Sequence, residues 1–183
     1  MLGGVVLLAS ARAAERDVNR VFAVEPGCPL KLDSYRGSVT IAESDEPTIR
    51  VAVHLEIGGD TEADAARLLA GLQLDLQSAG NVVTIRARNP RETRLRWSWR
   101  EDEQIDLTYR ISVPRRCDVD LAVTNGSIVV GNLAGRAIAR TETGAIFFRH
   151  IDGSIEARTE AGDVIVSRCS WKFTARVGKG LIR

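Results

Sequence analysis

Four segments decide the reading of this chain: VDLAVTNG (119–126), AIARTETG (137–144), IEARTEAG (155–162) and FTARVGKG (173–180). Their closing glycines, Gly126, Gly144, Gly162 and Gly180, stand 18 residues apart. Counting back seven, five and three places from each glycine gives Val119, Leu121, Val123; Ala137, Ala139, Thr141; Ile155, Ala157, Thr159; and Phe173, Ala175, Val177. Counting forward two and four gives Ile128, Val130; Ile146, Phe148; and Val164, Val166, with Ile182 opening the last copy. Seven places forward stand Leu133, Ile151 and Cys169. Small or apolar residues thus alternate with polar ones, the pattern of half-buried strands. The glycine interrupts that alternation and is expected in a bend with positive φ.

A short fixed period of strand, bend and strand predicts an all-β fold, a β-solenoid or β-helix whose coils are about 18 residues long. Equivalent residues then stack about 4.8 Å apart, in a register that a one-residue slip would turn inside out. A β-meander sandwich with accidental spacing is the competing architecture. An earlier copy surrounds Gly37, with Leu30, Leu32 and Ser34 before it and Val39 and Ile41 after it. Pro26 and Pro114 introduce the copies at Gly37 and Gly126, and Cys28 and Cys117 each lie nine places before those glycines.

The stretch between these copies reads differently. TIRVAVHLEI (48–57) alternates as a strand. Asp60 and Thr61 open a short helix with Asp64 as capping partner and Ala65, Leu68, Leu69 and Leu72 on one face. Leu72, Leu74, Leu76 and Val83, Ile85, Ala87 flank a hairpin turn at 78–81, and Ile105 to Val113 form a last long strand. The expected organisation is a leader at 1–13 and one β-repeat domain at 14–183. Within it lie a first coil and strand (14–57), a helix and hairpin insertion (58–104) and stacked coils (105–183).

Of the 183 residues 44% are hydrophobic and 27% charged, which excludes a disordered chain and a membrane-spanning bundle. Lys and Arg number 25 against 24 Asp and Glu, so no bulk basic field points to nucleic acid or anionic lipid. Two histidines and three cysteines leave little for a metal site, and no cofactor is expected. The opening MLGGVVLLASARAAERD joins an apolar run to Ala-Arg-Ala, a secretory leader cleaved after Ala13, although no basic residue precedes the run. A buried strand or a short anchor is the other reading. Export would place the mature chain in the periplasm, at the cell surface or outside the cell, where cysteines meet oxidising conditions.

Pro26-Gly27 before Leu30, the turn Gly37-Ser38-Val39-Thr40-Ile41, the late T-x-x-G-x-I/V copies, GNVVTIRA after the short helix and ISVP together resemble the DUF4097 putative adhesin family. The likeness spans about residues 18 to 183. It implies an exported or membrane-anchored bacterial β-repeat protein, with no established catalytic residues to carry over.

Binding candidates follow from the outward positions. Arg140, Arg158 and Arg176 share one offset, which a solenoid would stack as a ladder suited to acidic polysaccharide or phosphate. Glu142 and Glu160 lie on the same face, and a solvated row of screened charges is the plainer reading. In NPRETRLRWSWRED (89–102), Trp97 and Trp99 share one side of an extended strand, either for stacking on sugars or for closing over the core. Cys28 and Cys117 would be disulfide neighbours if their copies stack. Cys169 is expected as a buried small hydrophobe. His54 and His150 lack metal spacing, and Asp163 has Ser127, Ala145 and Leu181 at its equivalent positions, so no carboxylate cluster forms.

Two functions remain in play: a non-catalytic envelope module for binding or scaffolding, and a carbohydrate-active enzyme on a β-helix. Partners would be an envelope glycan or protein, without nucleic acid and without a membrane span in the mature chain. The last coil, 173–183, is expected to be covered by a partner chain, including a second copy end to end, to be covered by a further C-terminal segment, or to fray locally.

Overall fold

The structure, a computed structural model, describes residues 14–58, 62–89 and 105–183. In chain order its elements are β1 (Ala14–Ala23), β2 (Cys28–Arg36), β3 (Ser38–Ser44), β4 (Thr48–Ile57), α1 (Glu62–Gly71), β5 (Gln73–Ala79) and β6 (Val82–Arg88). There follow β7 (Ile105–Pro114), β8 (Cys117–Asn125), β9 (Ile128–Val130), β10 (Ala137–Thr143), β11 (Ile146–Ile151), β12 (Ile155–Ala161), β13 (Val164–Cys169) and β14 (Phe173–Lys179). The strands form two mixed seven-stranded sheets, ordered β1-β4-β7-β3-β9-β11-β13 and β14-β12-β10-β8-β2-β6-β5.

The spacing of 18 is the pairing register. Val119 lies beside Ala137, Ala137 beside Ile155 and Ile155 beside Phe173, and Leu121, Ala139, Ala157 and Ala175 form the next row. In the facing sheet Ile128, Ile146 and Val164 align, as do Val130, Phe148 and Val166. Each repeat therefore lends one strand to each sheet, all parallel, and the alternating small and apolar residues meet between the sheets. The copy around Gly37 belongs to the same stack: Leu30 pairs with Val119 and Val39 with Ile128.

The glycine bends hold this register. Gly144 has φ 143°, which a side chain rarely adopts, and a Cβ there would overlap the carbonyl of Gly126 one coil earlier. Gly126 sits against Gly37, Gly162 against Gly144 and Gly180 against Gly162 in the same way. The threonine three places before the glycine has a matching task. Buried Thr159 donates its hydroxyl to the Gly144 carbonyl at 3.1 Å, and Thr141 to that of Gly126 at 3.2 Å. The T-x-x-G motif is thus a hydroxyl that satisfies a carbonyl at the preceding bend. Between the sheets, Tyr109 and Ser34 share a buried hydrogen bond at 2.9 Å, and burial pushes the Tyr109 phenol up to about 12.

Away from the parallel stack the sheets change direction. β4 runs antiparallel to β7, β1 to β4, and β5 to β6. The helix expected after residue 60 is α1, with Ala65 and Leu68 buried where it packs on β1 and β4. Its expected capping residues, Asp60 and Thr61, lie outside the described residues. The hairpin is β5–β6, yet β6 pairs in parallel with β2, Leu30 beside Val83, so the hairpin extends the second sheet. Strand β1 escapes the sequence pattern because it is an edge strand carrying Glu15, Arg16, Asp17 and Arg20, with only Val18 and Phe22 half-buried. No described helix is long and apolar enough to cross a membrane.

The last coil departs from expectation. Its residues hold the inward register, but Phe173 is 40% and Ile182 49% exposed, and Val166, Cys169, Ala175 and Val177 are only half-buried. Cys169 is therefore not a fully buried hydrophobe. The reason is positional: every earlier coil is covered on both sides and this one is covered on one.

Two outcomes follow. Replacing Gly144 by Ala forces a methyl group into the Gly126 carbonyl at a positive φ, and should cost at least about 2 kcal/mol in urea unfolding. An unchanged midpoint would show that the bend relaxes freely. On the edge, His54 Nδ1 lies 2.8 Å from Asp17 Oδ1, and this hydrogen bond raises the imidazole above its ordinary 6.5. A raised folded value stabilises β1 below pH 6.5 and loses that contribution as pH climbs through the folded midpoint. Amide protection of β1 should fall across that window, and Asp17→Asn should bring the His54 midpoint, followed by NMR, back toward 6.5.

Candidate functional site

The outer face of the second sheet carries the arginine row. Arg140 pairs with Arg158 across β10 and β12, and Arg158 with Arg176 across β12 and β14, so the three form a ladder. Their electrostatic settings differ. Arg140 Nη1 lies 2.8 Å from Asp120 Oδ1 and its Nη2 3.5 Å from Glu156 Oε1. Glu156 also meets Arg136 at 3.3 Å. Arg158 turns onto Glu160, with Nη2 at 2.7 Å and Nε at 3.2 Å. These pairs are about half exposed, so each is worth at most about 1 kcal/mol. Among the described residues Arg176 forms no ion pair: Thr174 stands in the Glu156 row, and Gly178 replaces the glutamate two places on. The ladder is therefore screened over two rungs and open at the third.

Other candidates sort quickly. Trp97 and Trp99 lie outside the described residues. Asp163 accepts the Leu181 N–H at 2.9 Å, as Asp118 accepts that of Arg136 at 2.8 Å, so both carboxylates tie a corner to the next coil. Among the described residues no three His, Cys, Asp or Glu converge as a metal site.

Cys28 and Cys117 do come together. They are partners in register on β2 and β8, with 0% and 1% exposure and Sγ atoms 3.5 Å apart. The Cys28 thiol donates to the Cys117 sulfur, and the Cys117 thiol donates to the Cys28 carbonyl at 3.0 Å. Burial pushes both thiols above their ordinary value, Cys117 the more strongly.

The corner these cysteines occupy is a column of its own. Nine places before the bend glycines stand Cys28, Cys117, Gly135, Gly153 and Trp171. Gly153 packs on Gly135 so closely that a Cβ would overlap its carbonyl, whereas Trp171, at the end, is 82% exposed. Trp171 stands at a corner and outside the inward rows, so the alternation pattern carries no signal for it. Counting charge coil by coil would also have shown Arg168, Lys172, Arg176, Lys179 and Arg183 with no acid between 164 and 183.

With this geometry in hand, the chain can be set beside solved structures. A putative cell adhesion protein from Clostridium sporogenes ATCC 15579 superposes with a TM-score of 0.51 at 9% identity, covering 91% of this chain and 98% of that one. The two share a fold. A putative adhesin from Bacteroides fragilis NCTC 9343 aligns with a TM-score of 0.26 at 13% identity, over 91% of this chain and 96% of its own. One from Parabacteroides distasonis ATCC 8503 aligns at 0.28 and 11%, over 91% and 70%. No family model and no curated protein matches the chain.

The paired cysteines yield a measurable outcome. Refolding with glutathione disulfide as electron acceptor should join Cys28 to Cys117, each sulfur losing its proton while the acceptor is reduced to two thiols. Closing a loop of about ninety residues should add about 4 to 5 kcal/mol on the chain-entropy account. Thiol counting in denaturant should then find one free thiol, Cys169. A count of three would show that the strands do not let the sulfurs close.

Proposed function

We propose that this chain is a non-catalytic β-solenoid of the DUF4097 kind, exported and acting as a binding, adhesion-like or scaffolding module at the bacterial cell envelope. The observation that carries the proposal is the ladder of Arg140, Arg158 and Arg176, held in register on a rigid parallel sheet. Guanidinium groups repeated at strand spacing suit a polymer with repeating anionic groups, because each fork grips a carboxylate in two places. The shared fold with a putative cell adhesion protein supports the same reading.

The enzymatic alternative, a carbohydrate-active centre on a β-helix, draws no support from Asp163, whose carboxylate is hydrogen-bonded to the Leu181 N–H.

The proposal is tested on an array of polyuronates and neutral glycans. Binding to polyuronates that Arg176→Ala weakens several-fold more than Arg140→Ala is expected, since Arg140 already has Asp120 and Glu156. Equal retention of neutral glycans would remove the ladder as the site. Cleavage of a polyuronate, lost in Asp163→Asn, would replace the binding module with an enzyme.

A further inference from the structure

We infer that a trough on the outer face of the first sheet, where β3, β9 and β11 lie side by side, is a binding site for a short stretch of neutral glycan. It lies on the face opposite the arginine ladder and uses none of the ladder's residues.

The trough is a product of the repeat. The fifth place after each bend glycine falls on the outward face, and its occupants are Ala42, Gly131, Arg149 and Ser167. Strand β9 ends at Val130, and Gly131 is drawn so close to β3 that its N–H donates to the Ile41 carbonyl at 2.8 Å. A Cβ at Gly131 would stand only 2.9 Å from that carbonyl oxygen, so the position stays bare. With Ala42 and Gly131 for a floor, the sheet surface dips into a cavity of about 610 Å³ in the middle of the stack. Pockets of about 300 to 1,000 Å³ are the usual size for small ligands.

Polar side chains stand around this floor. Asp45, Asn132 and Arg149 line the trough and are exposed. Among the described residues none of these three side chains has a hydrogen bond or an ion pair. Their neighbours are engaged: Glu43 faces Arg115 at 3.6 Å, and the Ser44 hydroxyl accepts the Glu46 N–H at 3.2 Å. The free set is therefore one carboxylate, one amide and one guanidinium, which offers both donors and acceptors without net charge.

Apolar surface adjoins it. Val129 and Phe147 pair in register on β9 and β11, and both are half-buried on the outward face. They alternate with Ile128, Val130, Ile146 and Phe148, which fill the core at 0% exposure. Val129 lines the trough, so Phe147 stands beside it.

This combination selects the ligand. An apolar molecule seated here would strip water from Asp45, Asn132 and Arg149 and return no hydrogen bond. A polyanion would meet two carboxylates, with Arg149 alone unpaired in its favour. A neutral sugar ring carries hydroxyl groups around its rim, each both donor and acceptor, so it can serve the carboxylate, the amide and the guanidinium together. Its flat C–H face can lie against Phe147 and Val129.

The test is an array of neutral oligosaccharides of glucose, mannose, galactose and N-acetylglucosamine, printed beside polyuronates and probed with the full chain. At least one neutral oligosaccharide should be retained, more weakly than the polyuronates because fewer charge-assisted bonds hold it. Asp45→Ala and Asn132→Ala should each weaken that retention about tenfold, the loss of a sugar hydrogen bond to a charged or amide group. Phe147→Leu, which keeps the bulk and removes the ring, should weaken it several-fold. Asp45 and Asn132 are exposed, so circular dichroism and melting of those two variants should match the parent. Arg140→Ala and Arg176→Ala should leave neutral retention unchanged. Retention of no neutral oligosaccharide would overturn the inference, as would retention that neither Asp45→Ala nor Asn132→Ala weakens. Neutral retention that falls with Arg176→Ala as far as with Asn132→Ala would place the sugar on the ladder face and overturn it too. Polyuronate retention indifferent to the ladder variants would count against the ladder and leave the trough untouched.

Discussion

Along one edge of the stack, each bend places a glycine backbone against the carbonyl of the glycine one coil earlier, from Gly37 through Gly126, Gly144 and Gly162 to Gly180. That contact leaves no room for a Cβ and sets the distance between coils. Once it is made, the strands on either side have only one register, and the apolar rows of neighbouring coils must meet. Packing, hydrogen bonding and surface charge all inherit this spacing. A side chain at any of these bends would act on two coils at once, because the atom it strikes belongs to the neighbour.

The polar groups buried near the bends follow the same constraint. Thr141 and Thr159 share a row with Ser34, Val123 and Val177, and each threonine hydroxyl meets a glycine carbonyl of the preceding coil. Ser34 in the first copy donates to the Arg36 carbonyl at 2.6 Å and also meets Tyr109 from the facing sheet. Buried hydroxyls therefore appear where a bend presents a carbonyl that the strand ladder does not use. At the corners, Asp118 and Asp163 serve the backbone of the next coil. Side chains that look like chemistry in the sequence are largely occupied by stacking.

The two ends of the molecule answer the edge problem differently. At one end the chain reverses: β1, β4 and β5 run antiparallel to their neighbours, α1 lays Ala65 and Leu68 into the core, and charged residues line β1. At the other end the parallel ladder stops with its inward row showing. The acids that screen the arginine ladder in the middle coils are absent there, so the same repeat that is neutral within the stack becomes cationic at its last turn. A balanced composition and a polarised surface are compatible because the charges of each sign occupy different coils.

The period of 18, the inward rows and the identity of Gly37 as an early copy were legible in the sequence, because alternation and glycine spacing report directly on strand faces and bends. The short helix, the hairpin and the strands on either side of them were legible for the same local reasons. Strand β1 was not, since an edge strand with little burial carries little alternation. Nor could spacing show that Cys28 and Cys117 lie side by side across 89 residues of chain, which required β2 and β8 to pair. Burial in the last coil was likewise beyond the sequence: Phe173 occupies the same row as Ile155, but Ile155 has a neighbour on both sides and Phe173 on one. Local pattern determines which face of a strand a residue takes. Only the assembled stack decides whether anything covers it.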